Sequence, residues 1–272
     1  MKKIALNLFI SLILSGCVGS SSSGRVSSLF FSVEDDQKLG LQVQEEIESN
    51  PSEYPLLPES KYPKSYEYIR DMTRNIVNSG NVAYKDDFAW VVKIIQDDNT
   101  LNAFCTPGGY IYVYTGLIKY LNSADDLAGV MGHEIAHADR RHSIKQLEKQ
   151  YGISLLLSIA LGESASQTAQ IAAQIAGKGT ILAFSRGAES EADEYSVRYL
   201  SGTSYACNGA ATFFEKLTEE GKSGGIPTFM STHPSPDNRV DDINKFAKSI
   251  QCATKPIQES GMTYAQFKAS LP

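Results

Sequence analysis

The sequence predicts an α+β fold, mainly helical, with one small antiparallel sheet beside a central helix. Three observations predict it. Apolar residues recur at helical spacing over most of the chain. One cluster of β-branched and aromatic residues, 89–114, is cut by turn residues into three short strands. Residues 124–150 read as one helix carrying His133-Glu134-Ile135-Ala136-His137.

The first stretch is not expected to belong to the fold. Lys2 and Lys3 precede an almost wholly apolar run, 4–14, and Leu14-Ser15-Gly16-Cys17 closes it. A basic start, a short apolar run and small residues before a cut site describe an export signal rather than a membrane span. The last four residues resemble a bacterial lipobox. That resemblance implies cleavage before Cys17 and lipid on its sulfur and amine. Val18 stands where an inner-membrane retention signal would have Asp, which by analogy favours an outer-membrane lipoprotein facing the periplasm. The expected organisation is signal peptide at 1–16, a lipidated Ser/Gly-rich tether at 17–28, and a single domain at 29–272.

Leu39, Val43 and Ile47 recur every four residues and predict a helix over 35–49. Pro51, Pro55, Pro58 and Pro63 make the following stretch a loop. Tyr68, Ile69, Met72 and Ile76 form the inner face of a helix over 64–79, ended near Gly80. Strands follow at 89–95, 101–105 and 110–114. Asp97-Asp98-Asn99 and Pro107-Gly108-Gly109 supply the turns between them, and tight connections suggest antiparallel pairing. A short helix is expected at 115–121. Ser123 is a good N-cap for the motif helix, with Asp125 and Asp126 in the first turn, where the helix dipole favours acids. The apolar run 153–161 is too short to cross a bilayer. With the Ala/Gln-rich stretch 164–176 it predicts a helical hairpin over the candidate site. Helices are expected at 187–200 and 208–220, a Gly-rich loop at 221–228, and a closing helix at 237–250 with Val240, Ile243 and Phe246 inward.

The chain of 272 residues carries a net charge of −6. Loss of residues 1–16 would make this about −8, since two lysines and no acid go with them. No basic run is present, so a nucleic-acid partner is not expected. An acidic surface also disfavours adhesion to anionic lipid, which leaves the lipid at Cys17 as the membrane contact. Of the four cysteines, Cys17 is assigned to lipid. Export favours disulfides, and Cys207 with Cys252 is the preferred pair, leaving Cys105 over.

His133 and His137 are four residues apart, so on a helix both imidazoles face one metal ion. Glu134 beside them reaches a water bound to that ion. Two neutral nitrogen ligands, an open position and a carboxylate base are what a zinc hydrolase of peptide bonds needs. Three of the four histidines in the chain lie at 133, 137 and 142. A third ligand must come from elsewhere. Position 143, where one zinc-protease pattern has its next histidine, is Ser143. Downstream carboxylates at Glu148, Glu163, Glu189, Glu191 and Glu194 are the candidates. Glu189 and Asp193 share a helix face, while Glu191 points away from it. Glu189 would bind zinc and Asp193 would accept the free N–H of a ligand histidine. His142 is expected to support the structure or a ligand, because position i+5 from His137 points elsewhere.

The His133–His137 motif followed by Ser185-Arg186-x-x-Glu189-x-Glu191-Ala192-Asp193 resembles metallopeptidase family M forty-eight, and most nearly its periplasmic lipoprotein branch of the LoiP and BepA kind. The likeness runs from about residue 29 to the last helix. It implies a zincin-like (gluzincin) domain and one Zn2+ per chain. His133, His137 and Glu189 would be the ligands, Glu134 the base and Asp193 the supporting acid. Asn102-Ala103-Phe104 and Gly108-Gly109-Tyr110-Ile111-Tyr112-Val113 resemble the family's sheet beside the cleft. An exposed edge there would hold an extended peptide by main-chain bonding. Thr232-His233-Pro234-Ser235-Pro236 and Arg239 resemble a late segment of the family. His233 would stabilise the oxyanion or act as an inhibitory fourth ligand. Asn102, Ala103, Phe104 and Arg239 are the expected substrate-binding residues. The implied function is a lipid-anchored periplasmic zinc endopeptidase acting on unfolded or misassembled outer-membrane proteins. The alternative is an outer-membrane-anchored chaperone or assembly factor with a mostly inactive, His-capped zinc site.

Overall fold

The computed structural model describes residues 31–176, 183–221, 228–234 and 238–272. The expected signal peptide, Cys17, the tether, most of the Gly-rich loop, and Ser235 and Pro236 lie outside the described residues. Helix α1 is Val33–Ser49 and α2 is Pro63–Val77. Ser32 and Asp35 close a capping box at the head of α1, which satisfies amide donors that no helical carbonyl reaches. Pro63 opens α2, where its missing N–H costs nothing. Strands β1 (Val91–Ile95), β2 (Ala103–Thr106) and β3 (Tyr110–Tyr114) follow, then α3 (Thr115–Tyr120).

The strands are where expected, but the sheet is mixed rather than antiparallel. Its order is β1-β3-β2, with β1 parallel to β3 and β2 antiparallel to β3. Only the second connection is a hairpin. There Gly108 and Gly109 hold φ of 74° and 85°, which residues with a Cβ rarely adopt. The first turn does not fold back on β1. Asp97 Oδ1 accepts from Asn99 N at 3.0 Å, and Asp97 O accepts from Gly116 N at 3.0 Å. The turn is thereby fastened to the chain just past the end of β3, and β2 is laid on the far side. A Cβ on Gly116 would stand 2.6 Å from Thr100 O, so this crossing needs a glycine.

The sheet divides two cores. Val92, Ile94, Ala103, Cys105, Ile111 and Val113 face the larger one. Ile95, Phe104, Tyr112 and Tyr114 face the smaller one, built with α1 and the helices after the motif. This is the period-two alternation of a strand with both faces covered.

Helix α4, Ala124–Asp139, runs through the larger core with every residue buried. Ser123 and Asp126 form its capping box, as the sequence suggested for Ser123. The expected helix 124–150 does not exist as one piece. It stops at Arg140, Arg141 takes the left-handed conformation (φ 56°), and α5 (His142–Tyr151) begins afresh. No glycine marks the break. Arg141 is held there by its side chain, which donates to Asp36 Oδ2 at 2.7 Å and Oδ1 at 2.8 Å, and to Phe31 O at 2.6 Å. The remaining helices are α6 (Ile153–Ala160), α7 (Ala165–Ile175), α8 (Arg186–Leu200), α9 (Gly209–Gly221), α10 (Thr228–Thr232), α11 (Arg239–Ser249) and α12 (Tyr264–Ala269). Helix α12 has no counterpart among the expected elements.

Helix α4 packs chiefly on α8 and α9. A Cβ on Gly129 would lie 2.1 Å from Ala210 N, and one on Gly132 2.7 Å from Ser196 Oγ. These glycines let α9 and α8 approach the motif helix far closer than side chains allow. Cys207 and Cys252 are disulfide-bonded across a sequence separation of 45, and Cys105 is a buried free thiol. Among the described residues no helix is long and apolar enough to cross a membrane.

Candidate metal centre

The close packing of α4 and α8 decides what meets at the centre. From α4, His133 and His137 bring their Nε2 atoms to 3.0 Å of each other. From α8, Glu189 places Oε2 3.3 Å from His133 Nε2 and Oε1 3.3 Å from His137 Nε2. His233, just past α10, adds Nδ1 at 3.1 Å from Glu189 Oε1 and 3.3 Å from His133 Nε2. These four residues each offer a donor atom within 4.8 Å of the others, and all four are buried. The second atom of the His133 ring turns outward to the next layer, with Nδ1 2.9 Å from Asp193 Oδ1. Asp193 in turn accepts from Arg239 Nη2 and Nε, each at 2.7 Å. Glu134 is 1% exposed, and its Oε1 has no hydrogen-bond partner among the described residues. His233 Nε2 lies 3.5 Å from that oxygen.

The charges follow from burial. Burial holds His137 well below the ordinary imidazole value, so its neutral, lone-pair form prevails. Burial acts on His133 in the same direction, but hydrogen bonds to Asp193 and Glu189 outweigh it and lift the group to about 9. Two carboxylates thus call for positive charge at this spot, which a metal cation supplies as well as a proton does. Burial raises Glu189, yet the neighbouring His233 and His137 overcome it and keep the carboxyl well below its usual range. Burial raises the Glu134 carboxyl above its ordinary value. Buried imidazole nitrogens and an ionised carboxylate fit zinc, with a buried carboxylate oxygen beside them.

The residues named from sequence divide into two groups. His133, His137, Glu189, Glu134, Asp193 and His233 come together. The substrate-binding expectations fare differently. β2 is an edge strand by pairing, but Asn102, Ala103 and Phe104 are 0%, 0% and 3% exposed. Helix α4 packs on the strand, with α1 and α7 also against it, so among the described residues the expected exposed edge at 102–104 is absent. Phe104 nevertheless lines a cavity of about 10 Å³ with Cys105, Glu134, Ile175, Phe184 and His233. That volume holds about one water. Arg239 does not face a groove. It is 3% exposed, and its Nη2 lies 3.0 Å from Glu189 Oε2 as well as bonding Asp193.

His142 corrects a geometric argument. Position i+5 points away only on an unbroken helix. The turn at Arg141 swings His142 back, so that its Nδ1 stands 3.0 Å from His137 Nδ1. Two aromatic walls were not foreseen. Phe184 stacks on His137 at 4.0 Å between ring centroids, and Phe229 on His233 at 4.3 Å. Both follow chain segments whose path no periodicity encodes.

A helix pair presenting two imidazoles and a carboxylate, with a second carboxylate beside them, is a donor set that could hold a metal ion next to a base. Comparison with known proteins gives the lineage. A profile of peptidase family M48 matches residues 63–247. The chain belongs to this family. It is 32% identical over 197 residues to mitochondrial metalloendopeptidase OMA1 of Schizosaccharomyces pombe, covering 72% of this chain and 56% of that protein. It is 33% identical over 199 residues to a putative beta-barrel assembly-enhancing protease of Vibrio cholerae, covering 68% and 40%. Metalloprotease YcaL of Escherichia coli is 28% identical over 192 residues, covering 68% and 69%. The chain spans about half the length of the first two relatives.

Proposed function

We infer that the chain is an exported endopeptidase, tethered by lipid at Cys17 to the outer membrane and facing the periplasm. Its substrates are unfolded or misassembled proteins, outer-membrane proteins among them. The name of the Vibrio cholerae relative, with its reference to beta-barrel assembly, supports that substrate class. Residues 1–16 serve as the signal, 17–28 as the tether and 29–272 as the peptidase domain.

His133, His137 and Glu189 hold the metal. Zinc, when bound, polarises the scissile carbonyl and makes a nearby water more acidic. Glu134 takes the proton of the attacking water and delivers it to the leaving amine as the peptide bond breaks. Asp193 keeps the His133 proton on Nδ1 and its Nε2 lone pair inward, and Arg239 steadies Asp193. The observation that carries this reading is the convergence of His133, His137 and Glu189 beside a buried, unbonded Glu134 oxygen.

His233 has two candidate roles, and its position favours the cap. Its Nδ1 stands among the ligand atoms, and the cavity beside it admits about one water. In this form the site accepts no peptide until the His233 segment withdraws. The test is cleavage of casein by wild type, Glu134→Gln and His233→Ala. Glu134→Gln should keep zinc and lose cleavage, and His233→Ala should cleave faster than wild type. Cleavage that persists in Glu134→Gln, or is absent from purified wild type and His233→Ala alike, defeats the peptidase assignment. That second result would leave the chaperone reading in its place. A slower His233→Ala would make His233 an oxyanion stabiliser instead.

A further inference from the structure

Of the four histidines, His142 alone has no part in the chemistry above. It is buried, and its ring is ordered at both nitrogens. Nδ1 lies 3.0 Å from His137 Nδ1, and Nε2 lies 3.1 Å from Glu191 Oε2. The other oxygen of Glu191 accepts from Arg140 Nε at 2.9 Å. His137, His142, Glu191 and Arg140 therefore form one line leading away from the ligand cluster. Glu191, which the sequence places off the ligand face, is at the far side of this line rather than idle.

The protons in the line follow from valence. A neutral imidazole carries one N–H. His137 turns Nε2 toward the ligand atoms, so its proton is on Nδ1. Two facing Nδ1 atoms share one proton, and His137 supplies it, so His142 Nδ1 accepts. The proton of His142 is then on Nε2 and is donated to Glu191, whose carboxylate only accepts. Arg140 only donates and closes the line. Each bond has one donor and one acceptor.

We propose that His142 is a positioning residue for His137, fixing its tautomer and ring plane for the metal, with Glu191 and Arg140 fixing His142. The proposal rests on the reading that His133, His137 and Glu189 are the ligands. The two ligand histidines are then backed differently. Asp193, an anion, stands behind His133, whereas a neutral imidazole stands behind His137. The left-handed turn at Arg141 gains a purpose, because on an uninterrupted α4 His142 would point away from His137.

The test measures zinc affinity of the full chain by competition with a chromophoric chelator, alongside the visible absorption of the cobalt-substituted protein. Outer partners of ligand histidines are worth 10–100-fold in metal affinity. His142→Leu, which keeps bulk and removes the acceptor, should weaken zinc by about that factor and shift the cobalt bands. His142→Asn, whose side-chain oxygen can replace Nδ1 as acceptor, should recover most of the affinity. Glu191→Ala should weaken zinc by less than His142→Leu. Affinity within twofold of wild type in folded His142→Leu overturns the proposal, and so does an Asn variant no better than Leu. Should His142→Leu fail to fold, Glu191→Ala decides, since its side chain is 36% exposed and tolerates truncation. Unchanged affinity in that variant overturns the proposal. Glu189→Ala separates the two levels. Zinc retained there defeats the ligand reading and the proposal together, whereas zinc lost there but held by His142→Leu defeats the proposal alone.

Discussion

Replacing Asp36 by Ala tests how the first helix is fastened to the metal-bearing one. Arg141 and Asp36 are 3% and 1% exposed, and two bonds of 2.7 and 2.8 Å join them. Burial is expensive enough here to push the Asp36 carboxyl up to about 6 despite its arginine partner. The pair is therefore no large net gain over an apolar contact, but half of it is much worse than either. Asp36→Ala leaves a buried guanidinium with the carbonyls of Phe31 and Ser32 as its remaining acceptors among these bonds. Breaking such a pair typically costs ~3–5 kcal/mol. The two carbonyls place this case near the lower end, about 3 kcal/mol. At roughly 2–4 °C per kcal/mol for a domain of this size, the melting temperature should fall by about 6–12 °C. The assay is thermal unfolding followed by circular dichroism at pH 7.5, with zinc saturating and the disulfide intact. The double variant Asp36→Leu/Arg141→Met should lose less than Asp36→Ala alone. A loss under about 1 kcal/mol in Asp36→Ala, or a double variant at least as unstable as the single one, refutes the reasoning.

Gly129→Ala puts a methyl 2.1 Å from Ala210 N, where neither backbone can yield cheaply. It should destabilise by at least the ~1–3 kcal/mol of ordinary overpacking and lower zinc affinity by moving α4 within its core. Urea titration with a parallel metal assay checks both, and an unchanged midpoint would sink the claim. Stability should also vary with pH through Asp36, which faces Arg141, Glu148 and Asp35. With its folded pKa raised to about 6, the native state takes up a proton between about pH 4 and 6. The contribution of this group is present below that window and lost as pH rises through it. The melting temperature of wild type relative to Asp36→Asn should accordingly fall from pH 4.5 to pH 7, and a flat difference argues against it.

Much of the site could be read from spacing because its logic is local. The i, i+4 relation ties His133 to His137 and Glu189 to Asp193, and both relations hold wherever a helix forms. Exclusion of position 143 sent the search for a third ligand downstream, to the helix that brings Glu189 beside the two histidines. The elements themselves also fell close to expectation, since long amphipathic stretches and strong caps such as Ser123 are local signals. What failed was path. Nothing in Asp97-Asp98-Asn99 says whether a turn returns or crosses over, because that depends on its bonds to Gly116. Nothing in Arg140-Arg141 announces a break, because Asp36, far off in sequence, stabilises it. The covering of β2 by α4, α1 and α7 is likewise a property of tertiary packing and has no local mark.

The Cys207–Cys252 bond has a consequence for when the protein becomes complete. The segment it brackets contains His233 and Arg239, which meet His133 and Glu189 in the cluster. A loop of this length, with a sequence separation of 45, gains about 4 kcal/mol from cross-linking in the chain-entropy account. A newly made chain lacks that contribution until an oxidant reaches it. Its stability therefore records its redox history, and the reduced chain is weakest in the segment that carries His233 and Arg239. Such a chain carries the residues of the cluster from synthesis onward but acquires its full rigidity only once its two thiols are joined.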